Sequence, residues 1–316
     1  MSEVIKIGIS SCLLGNKVRY DGGHTLDRFL VGTLGQHVQY VPVCPETECG
    51  LGVPRETMRL VGDPKSPRLV TTKTKIDHTQ KMQSWAKTRL KELAQENLCG
   101  FIFKSKSPSS GMARVKIYND NGMPRNVGIG IFAGMFMAAF PLIPVEEEGR
   151  LNDPGLRENF IERVFTLKSW RDMRKKIAGL GRLVDFHTRI KLLLLAHSPK
   201  DYRALGRLVA EGKKHSLSAL YNQYETTLMA GLRLKATVKK NTNVLQHMLG
   251  YFKKQLSPDE KQELVKIIDQ YHQELIPLIV PVTLFNHYVR KYDVFYLAQQ
   301  TYLNPHPIHL KLRNHA

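Results

Sequence analysis

The sequence predicts an α/β domain followed by an all-α domain, and three observations carry that prediction. In the first half, short apolar runs of strand length alternate with amphipathic stretches of helical period, the pattern of a parallel sheet with covering helices. Beyond a turn-rich joint, EEEGRLNDPG, apolar residues recur at three-to-four spacing almost to the end of the chain, which is the period of packed helices. At 316 residues the chain exceeds what one core usually supports and has room for about two domains. The joint sets the regions at 1–150 and 151–316.

In chain order, VIKIGIS is a strand, LDRFLVGTLG a helical stretch and VQYVPVC a second strand. IDHTQKMQSWAKTRLKELAQEN is a long amphipathic helix, and CGFIFKS is a third strand. GIGIFAGMFMAAF reads as a small-residue helix that leads into a last strand in PLIPVEEE. In the second half ENFIERVFTLKSWRDMRKKI, GRLVDFHTRIKLLLLAH, DYRALGRLVAEG, SALYNQYETTLMAGL and NTNVLQHMLGYFKKQL each read as helices. SPDEKQELVKIIDQYHQELIP opens on Ser257 as a cap, with Pro258 in the first turn and acidic residues behind it, a helix-start signature. VTLFNHYVRKYDVFYLAQQTYL closes the bundle before the tail PHPIHLKLRNHA.

Composition narrows the function classes. Hydrophobic residues make up 42% and charged residues 24%, a globular profile rather than a disordered one. No stretch approaches the roughly 20 consecutive apolar residues of a membrane helix. MSEVIKIGISSCLLG reads as a strand that begins at once, without a charged leader and apolar signal core, so a cytoplasmic location is expected. In a reducing compartment the four cysteines, Cys12, Cys44, Cys49 and Cys99, are thiols or metal ligands rather than disulfides. The net charge of +19 is unevenly spread: residues 1–150 hold 20 basic against 14 acidic side chains (+6), and residues 151–316 hold 27 against 14 (+13). A basic half of this kind usually faces a polyanion, because each Lys or Arg on a phosphate releases condensed counterions.

Ligands of parallel sheets collect at the carboxyl ends of the strands. Cys12 follows the first strand, Cys44 ends the second, and the Ser-rich segment 105–111 follows the third. Those three loops are expected to meet at one edge, with Cys99 at the opposite end of its strand. SSCLLGNKVRYDGGH supplies Cys12, Arg19 and Asp21; PVCPETECGLGVPRE supplies Cys44, Glu46 and Cys49; FKSKSPSSG carries four serines, among them Ser107 and Ser110. Arg19 and Asp21 suit a turn as well as a substrate contact. Gly128 and Gly130 in NVGIGIF lack the third glycine and the acidic partner of a dinucleotide loop. His187, His197, His247 and His287 lie in helical stretches and read as core or surface residues, and the histidines of PHPIH have no matching cluster in the sequence.

Taken together in this order and spacing, the first-half runs resemble the thiouracil desulfidase family. Its pattern has a Cys in S-x-C-L-L-G, a Cys-Pro-Glu after the second strand and a closing S-P-S-C-G, and the resemblance covers residues 5–145. The second half resembles the all-helical domain often fused behind it, through RENFIERVF, FHTRIKLLLLAHS and NPHPIHLKLRN. The fused architecture is similar to the bacterial tRNA 4-thiouridine desulfidases.

The resemblance implies a 4Fe–4S cluster held by three cysteines with one iron open, thiolates being the soft donors such clusters prefer. It implies an open iron that polarises a thiocarbonyl sulfur, with Glu46 as general base for the attacking water. Ser107 would orient substrate or shuttle a proton; Asp21, in the VRYDGG turn, reads as a substrate contact or as a turn residue. The implied substrate is 4-thiouridine in tRNA. In the basic helical domain the charge pattern itself offers Arg171, Arg174, Lys175, Lys176, Lys213, Lys214, Lys239, Lys240, Lys253 and Lys254 as RNA contacts or as solvated helix ends. Tyr251 and Phe252 are candidates to stack on unpaired bases. The chain departs from the family at one place: SPSSG puts Ser110 where the third Cys belongs. Cys12 and Cys44 remain, and Cys49, five residues past Cys44, is either the substitute ligand or an ordinary loop thiol. Two other readings stay open, a free-base thiouracil desulfidase and a tRNA-binding protein with a degenerate, cluster-free site.

Overall fold

The computed structural model describes residues 4–175 and 179–314, and the chain divides into two compact units, Met1–Asn152 and Asp153–Ala316. In the first unit the four anticipated strands form one sheet. They are β1 (Ile5–Ser10), β2 (Val38–Val43), β5 (Gly100–Phe103) and β8 (Val145–Glu147), in the order β2-β1-β5-β8. Every pair is parallel. All four residues of β5 are buried, as expected for a strand covered on both faces. Gly8 of β1 is required by that packing, because a Cβ there would lie 2.2 Å from the Phe101 ring.

Between the strands lie α1 (Arg28–Gly32), α2 (Pro45–Glu48), α3 (Thr79–Gln95) and α4 (Ile131–Ala139). The LDRFLVGTLG stretch is shorter than its pattern suggests: α1 spans five residues, and a 3-10 turn at Leu34–Gln36 follows. The α4 helix buries Ile131, Phe132, Ala133 and Phe136. The Phe101, Phe103, Phe132 and Phe136 rings cluster, with Phe101 4.4 Å from Phe103 and 4.6 Å from Phe136, distances at which aromatic pairs attract beyond their buried area. The chain runs outward from β1 to β2 and then returns to β5 on the other flank of β1. The strand order therefore reverses between β1 and β5, which opens a crevice at their carboxyl ends.

A second sheet was not legible in the sequence. It contains β3 (Met58–Val61), β4 (Arg68–Thr71), β6 (Val115–Tyr118) and β7 (Pro124–Gly128), ordered β4-β3-β6-β7. Two of its pairings are antiparallel and the β3–β6 pairing is parallel. Its strands are four or five residues long, too short for an alternation pattern to stand out. Its apolar face, through Leu60, Leu69, Val115 and Ile117, packs with Met82 of α3 and Ile131 of α4. Gly128, read above as the start of a helix, belongs to β7.

The second unit is helical: α5 (Pro154–Lys175), α6 (Leu180–His197), α7 (Pro199–Ala210), α8 (Leu217–Arg233), α9 (Val238–Leu249), α10 (Pro258–His272), α11 (Ile279–Lys291) and the short α12 (Phe295–Ala298). Ser198, Ser216, Thr237 and Ser257 cap α7, α8, α9 and α10 by accepting backbone N–H bonds. At Ser257 the Glu260 side chain reaches back to complete a capping box, the arrangement that satisfies two orphan donors at once. Two helices stop earlier than their patterns suggest. A 3-10 turn at Gly250–Phe252 ends α9, and a positive φ of 47° at Asp293 separates α11 from α12. Trp170 is fully buried and stacks on Tyr224 at 5.0 Å.

Candidate active site

The three loops that follow β1, β2 and β5 line one cavity of about 340 Å³ at the reversal point of the sheet. Among its lining residues are Cys12, Arg19, Cys44, Glu46, Ser107 and Ser110. Three further cavity residues, Tyr20, Arg55 and Lys104, were not singled out from the sequence. Asp21, Cys49 and Cys99 are not among the residues lining it. Asp21 folds back on its own turn, where Oδ1 accepts the Gly23 N–H at 2.9 Å. The Cys49 thiol donates to the Glu46 carbonyl at 3.3 Å, and the residue packs in the apolar cluster beneath the second sheet. Cys99 sits just ahead of β5, at the amino end of the strand, with its N–H on the Lys6 carbonyl at 2.8 Å.

Each thiol on the cavity has a defined setting. Cys12 lies in the 3-10 turn Ser11–Leu14 and accepts the Thr25 hydroxyl at 3.4 Å. Burial pushes its thiol up, while the Thr25 hydrogen bond and the Lys104 charge pull the other way. Cys44 is the N-cap of α2, and its N–H is held by Glu48 Oε1 at 2.7 Å. Its thiol donates to Glu46 Oε2 at 3.6 Å. Burial, and then the Glu46 charge, push Cys44 up to about 11, while Arg55 acts in the opposite direction.

Glu46 is the hub of the cavity wall. Its Oε1 accepts the Ser109 hydroxyl at 2.6 Å, and its Oε2 lies 3.9 Å from the Arg55 guanidinium. Arg55 also donates to the carbonyls of Val18 and Gly52 at 3.0 and 3.3 Å, and so ties the loop after β1 to the loop after α2. Ser109 is fully buried and links Glu46 to Ser107 Oγ at 2.9 Å and to Ser110 Oγ at 3.4 Å. Ser107 Oγ in turn accepts the N–H groups of Ser109 and Ser110 at 3.3 and 3.1 Å. Ser109 escaped the sequence reading although it stands inside the SPSSG run; Arg55 escaped it because its signal is proximity in space to Glu46.

The serine loop is fastened from outside. Glu148 accepts the Ser105 N–H at 2.7 Å and pairs with Lys104, and Glu147 accepts the Met112 N–H at 2.9 Å. The loop carbonyls of Gly111, Pro108 and Ser109 take the N–H groups of Gly130, Ile131 and Ala133, which supplies the start of α4 with acceptors it would otherwise lack. Gly130 is therefore a packing glycine and not a phosphate-loop one: a Cβ there would lie 2.5 Å from the Ser109 backbone.

In the helical unit, the basic candidates divide by setting. Lys213, Lys214, Lys239, Lys253 and Lys254 are exposed, and so are Arg174 and Lys175; Arg171 is partly buried, and Lys176 lies outside the described residues. Arg174 is committed to Glu225 at 2.6 Å, and Lys240 to the carbonyls of His197 and Lys235 at 2.7 and 3.0 Å. Phe252 is fully buried, so it is a core residue and not a stacking platform, whereas Tyr251 is exposed and stacks on Tyr296 at 4.7 Å. His187 and His197 are buried; His247 and His287 are exposed.

One histidine of PHPIH does have neighbours. His306 stands with Glu158 and Glu162, their candidate ligand atoms within 4.8 Å of one another. Sequence could not show this, because the glutamates precede it by about 150 positions. Both carboxylates are bound to the buried Arg313, at 3.0 and 2.7 Å, and Glu162 also meets His197 at 3.0 Å. That makes the cluster an internal ion network of the helical unit.

A family model described as 2-thiouracil desulfurase matches residues 7–148, and one described as a protein of unknown function, DUF1722, matches residues 191–307. The "Uncharacterized protein YbgA" of Escherichia coli (strain K12) is 35% identical over 153 residues, 48% of this chain and 90% of that protein. The chain belongs to the YbgA-like family. It joins a YbgA-like C-terminal region to an N-terminal 2-thiouracil desulfurase domain. The "Uncharacterized protein YbbK" of Bacillus subtilis (strain 168) is 29% identical over 151 residues, 46% of this chain and 97% of that one. Among solved structures, a [4Fe-4S]-dependent thiouracil desulfidase, TudS, aligns with a TM-score of 0.40 at 28% identity, covering 49% of this chain and 97% of that chain. No helix among the described residues is long and apolar enough to cross a membrane.

Proposed function

We propose that this chain is an iron–sulfur-dependent desulfidase that removes sulfur from 4-thiouridine in tRNA and leaves uridine. The observation that carries the reading is the convergence of Cys12, Cys44, Glu46 and Ser110 on one cavity, inside the region that matches the 2-thiouracil desulfurase model. The donor set suits a 4Fe–4S cluster in that two thiols supply soft ligands; Arg19, Arg55 and Lys104 line the same cavity, each beside a carboxylate, Asp21, Glu46 and Glu148. Burial raises both thiols, while Lys104 and Arg19 favour the Cys12 thiolate and Arg55 the Cys44 thiolate. Thiolate is the form that ligation requires. Cys12 and Cys44 would hold the cluster, with the Ser110 oxygen at the third place. Cys49 would have to leave its apolar packing to replace it. When bound, the cluster supplies a Lewis acid for the thiocarbonyl sulfur.

The chain's own groups account for the remaining chemistry. Water adds to the thiolated carbon, a C–O bond forms, the C–S bond breaks and sulfur leaves as sulfide. Glu46 takes the proton of that water, because it is the carboxylate on the cavity that Ser109 and Arg55 hold in place. The Ser107–Ser109 hydroxyl pair, at 2.9 Å, can pass a proton onward from Glu46. Asp21, turned back on Gly23, enters this reading only as a support for Arg19, whose Nε lies 3.7 Å away. The +13 balance of residues 151–316 supports tRNA as the form in which the base arrives.

A second reading is favoured by one observation, a serine at position 110 where the family pattern has cysteine: a tRNA-binding protein without a cluster. The test is iron, acid-labile sulfide and visible spectrum on protein reconstituted without oxygen, followed by turnover of thiolated tRNA and of free 4-thiouracil. A brown protein that desulfurates tRNA in preference to the free base supports the proposal. Preference for the free base replaces tRNA as substrate, and an iron-free protein that still binds tRNA puts the second reading ahead.

A further inference from the structure

A second groove opens beside the cysteine cavity, on the small sheet. It has a volume of about 530 Å³ and shares Met58, Lys106 and Pro108 with that cavity. Arg59, Lys106, Arg114 and Lys116 line it, together with Tyr118 and Asn126, and no carboxylate does. None of these four cations is in an ion pair among the described residues, so the groove carries their charge uncompensated. Like charges gathered without counter-charge repel one another, and such an arrangement calls for an anionic ligand.

Two further observations point the same way. The Arg59 guanidinium lies over the Tyr118 ring at 4.7 Å, yet its buried Nε has no hydrogen-bond partner. An arginine held on a ring but with no acceptor among the described residues has donors left for an anion. Lys106 and Arg114 hold φ values of 60° and 53°, where glycine costs less than a branched or long side chain. Cationic side chains thus occupy two backbone positions that favour the residue with none.

We infer that this groove is the phosphodiester seat of the substrate strand: backbone phosphates beside the target nucleotide lie on Arg59, Arg114, Lys106 and Lys116 while the base enters the cysteine cavity. The inference rests on the tRNA reading above and extends it, because it assigns part of the RNA interface to the first unit. Four cations around an apolar floor of Met58, Pro108 and Val115 suit a single strand that is splayed at the target, with phosphates on the rim and a base turned inward.

The experiment compares binding of a thiolated trinucleotide, U-4-thioU-U, with binding of the 4-thiouridine nucleoside. It uses the full chain and the double variant Arg114→Gly, Lys116→Ala, and it repeats the trinucleotide titration across a salt series. Arg114→Gly relaxes the left-handed backbone and Lys116 is exposed, so the fold is retained; the single Lys116→Glu charge reversal serves as an independent check. The expected result is a trinucleotide-over-nucleoside preference that falls at least tenfold in the double variant. The log–log salt slope should also become shallower by about 0.7 for each phosphate that the variant no longer neutralises. Unchanged preference and slope overturn the inference, as does an equal loss of nucleoside and trinucleotide binding. Turnover of thiolated tRNA by the wild-type chain separates the two failures. Turnover with a groove-independent trinucleotide affinity sinks the groove alone, whereas no tRNA turnover beside active free-base turnover sinks the parent reading with it.

Discussion

Two glycines at α4, four residues apart, are expected to respond to alanine in opposite directions. At Gly130, the N-cap, the backbone angles are φ −62° and ψ 145°, which any residue adopts, so conformational freedom is not at issue. Space is: the new Cβ would lie 2.5 Å from the carbonyl carbon and oxygen of Ser109 and 2.8 Å from the Ser110 nitrogen. All three are backbone atoms of the loop that carries the candidate third ligand, and no rotamer change clears them. Overpacking of this kind costs about 1–3 kcal/mol. At Gly134, inside the helix, the nearest atom is Ile129 Cγ2 at 3.5 Å, an ordinary contact, and alanine there should stabilise by about 0.5–1 kcal/mol. The assay is urea unfolding followed by tryptophan fluorescence in a Trp170→Phe background, which leaves Trp85 as the single tryptophan. Trp85 packs on Phe132 of α4 at 5.4 Å and so reports on this helix. With a slope of about 2 kcal/mol/M, Gly130→Ala should lower the midpoint by about 0.5–1.5 M and Gly134→Ala should raise it slightly. Equal midpoints for the two variants would rule this out, since the asymmetry requires the loop backbone to meet one Cβ and not the other.

Other perturbations follow from the same contacts. Ser109→Ala removes the 2.6 Å bond to Glu46 and should lower kcat/KM for a thiolated substrate by about ten- to a hundredfold, the rate equivalent of about 1.5–3 kcal/mol; an unchanged kcat/KM would mean that Glu46 is held without it. Arg313→Met strands Glu158 and Glu162 in the interior and should cost about 3–5 kcal/mol, read as a lower urea midpoint of the helical unit; a loss below about 1 kcal/mol would show that the network is not an ion network in solution. Burial, and then Lys191, hold His187 down to about 4. The folded state therefore refuses a proton that the unfolded chain accepts near its ordinary value, so stability is full above about pH 6.5 and falls as pH drops toward 4. Thermal unfolding across that window should show the decline in the wild type and a flatter curve in His187→Gln, and parallel curves would exclude His187 as the cause.

The legible part of the fold was the part whose periods are long or whose burial is two-sided. The central strands announced themselves because IKIGIS places Ile5, Ile7 and Ile9 on one face and GFIF is buried throughout, and the second-unit helices because ten or more residues sustain one period. The small sheet was hidden because VKIY and PRNVG show a solvated face and lie next to turns, so local pattern and tertiary pairing carry little common signal. The same division runs through the site. Cys12, Cys44, Glu46, Ser107 and Ser110 were readable from their position at strand ends, where topology decides what meets. Lys104 was not, because its partner Glu148 is remote in sequence, and Arg55 was not, because only the turn of the chain between them brings it to 3.9 Å from Glu46, nine positions earlier. His306 and its glutamates fail to show in the sequence for the same reason.

The fastening of the serine loop bears on how the departure at Ser110 should be weighed. Everything that fixes the loop acts on its backbone or on neighbouring side chains: Glu147 on the Met112 N–H, Glu148 on Ser105, and the start of α4 on three loop carbonyls. Ser110 contributes one weak hydroxyl contact, at 3.4 Å to Ser109, so the loop would take the same path with a thiol in its place. The difference between serine and cysteine here is accordingly one of donor chemistry, a hard oxygen for a soft sulfur, and not one of scaffold. The two other expected ligands, the Glu46 carboxylate and its buried hydroxyl partner Ser109 are assembled around this cavity by contacts that do not involve the side chain at position 110. A cluster-binding comparison between this chain and Ser110→Cys therefore isolates the ligand itself, with the architecture of the site held constant.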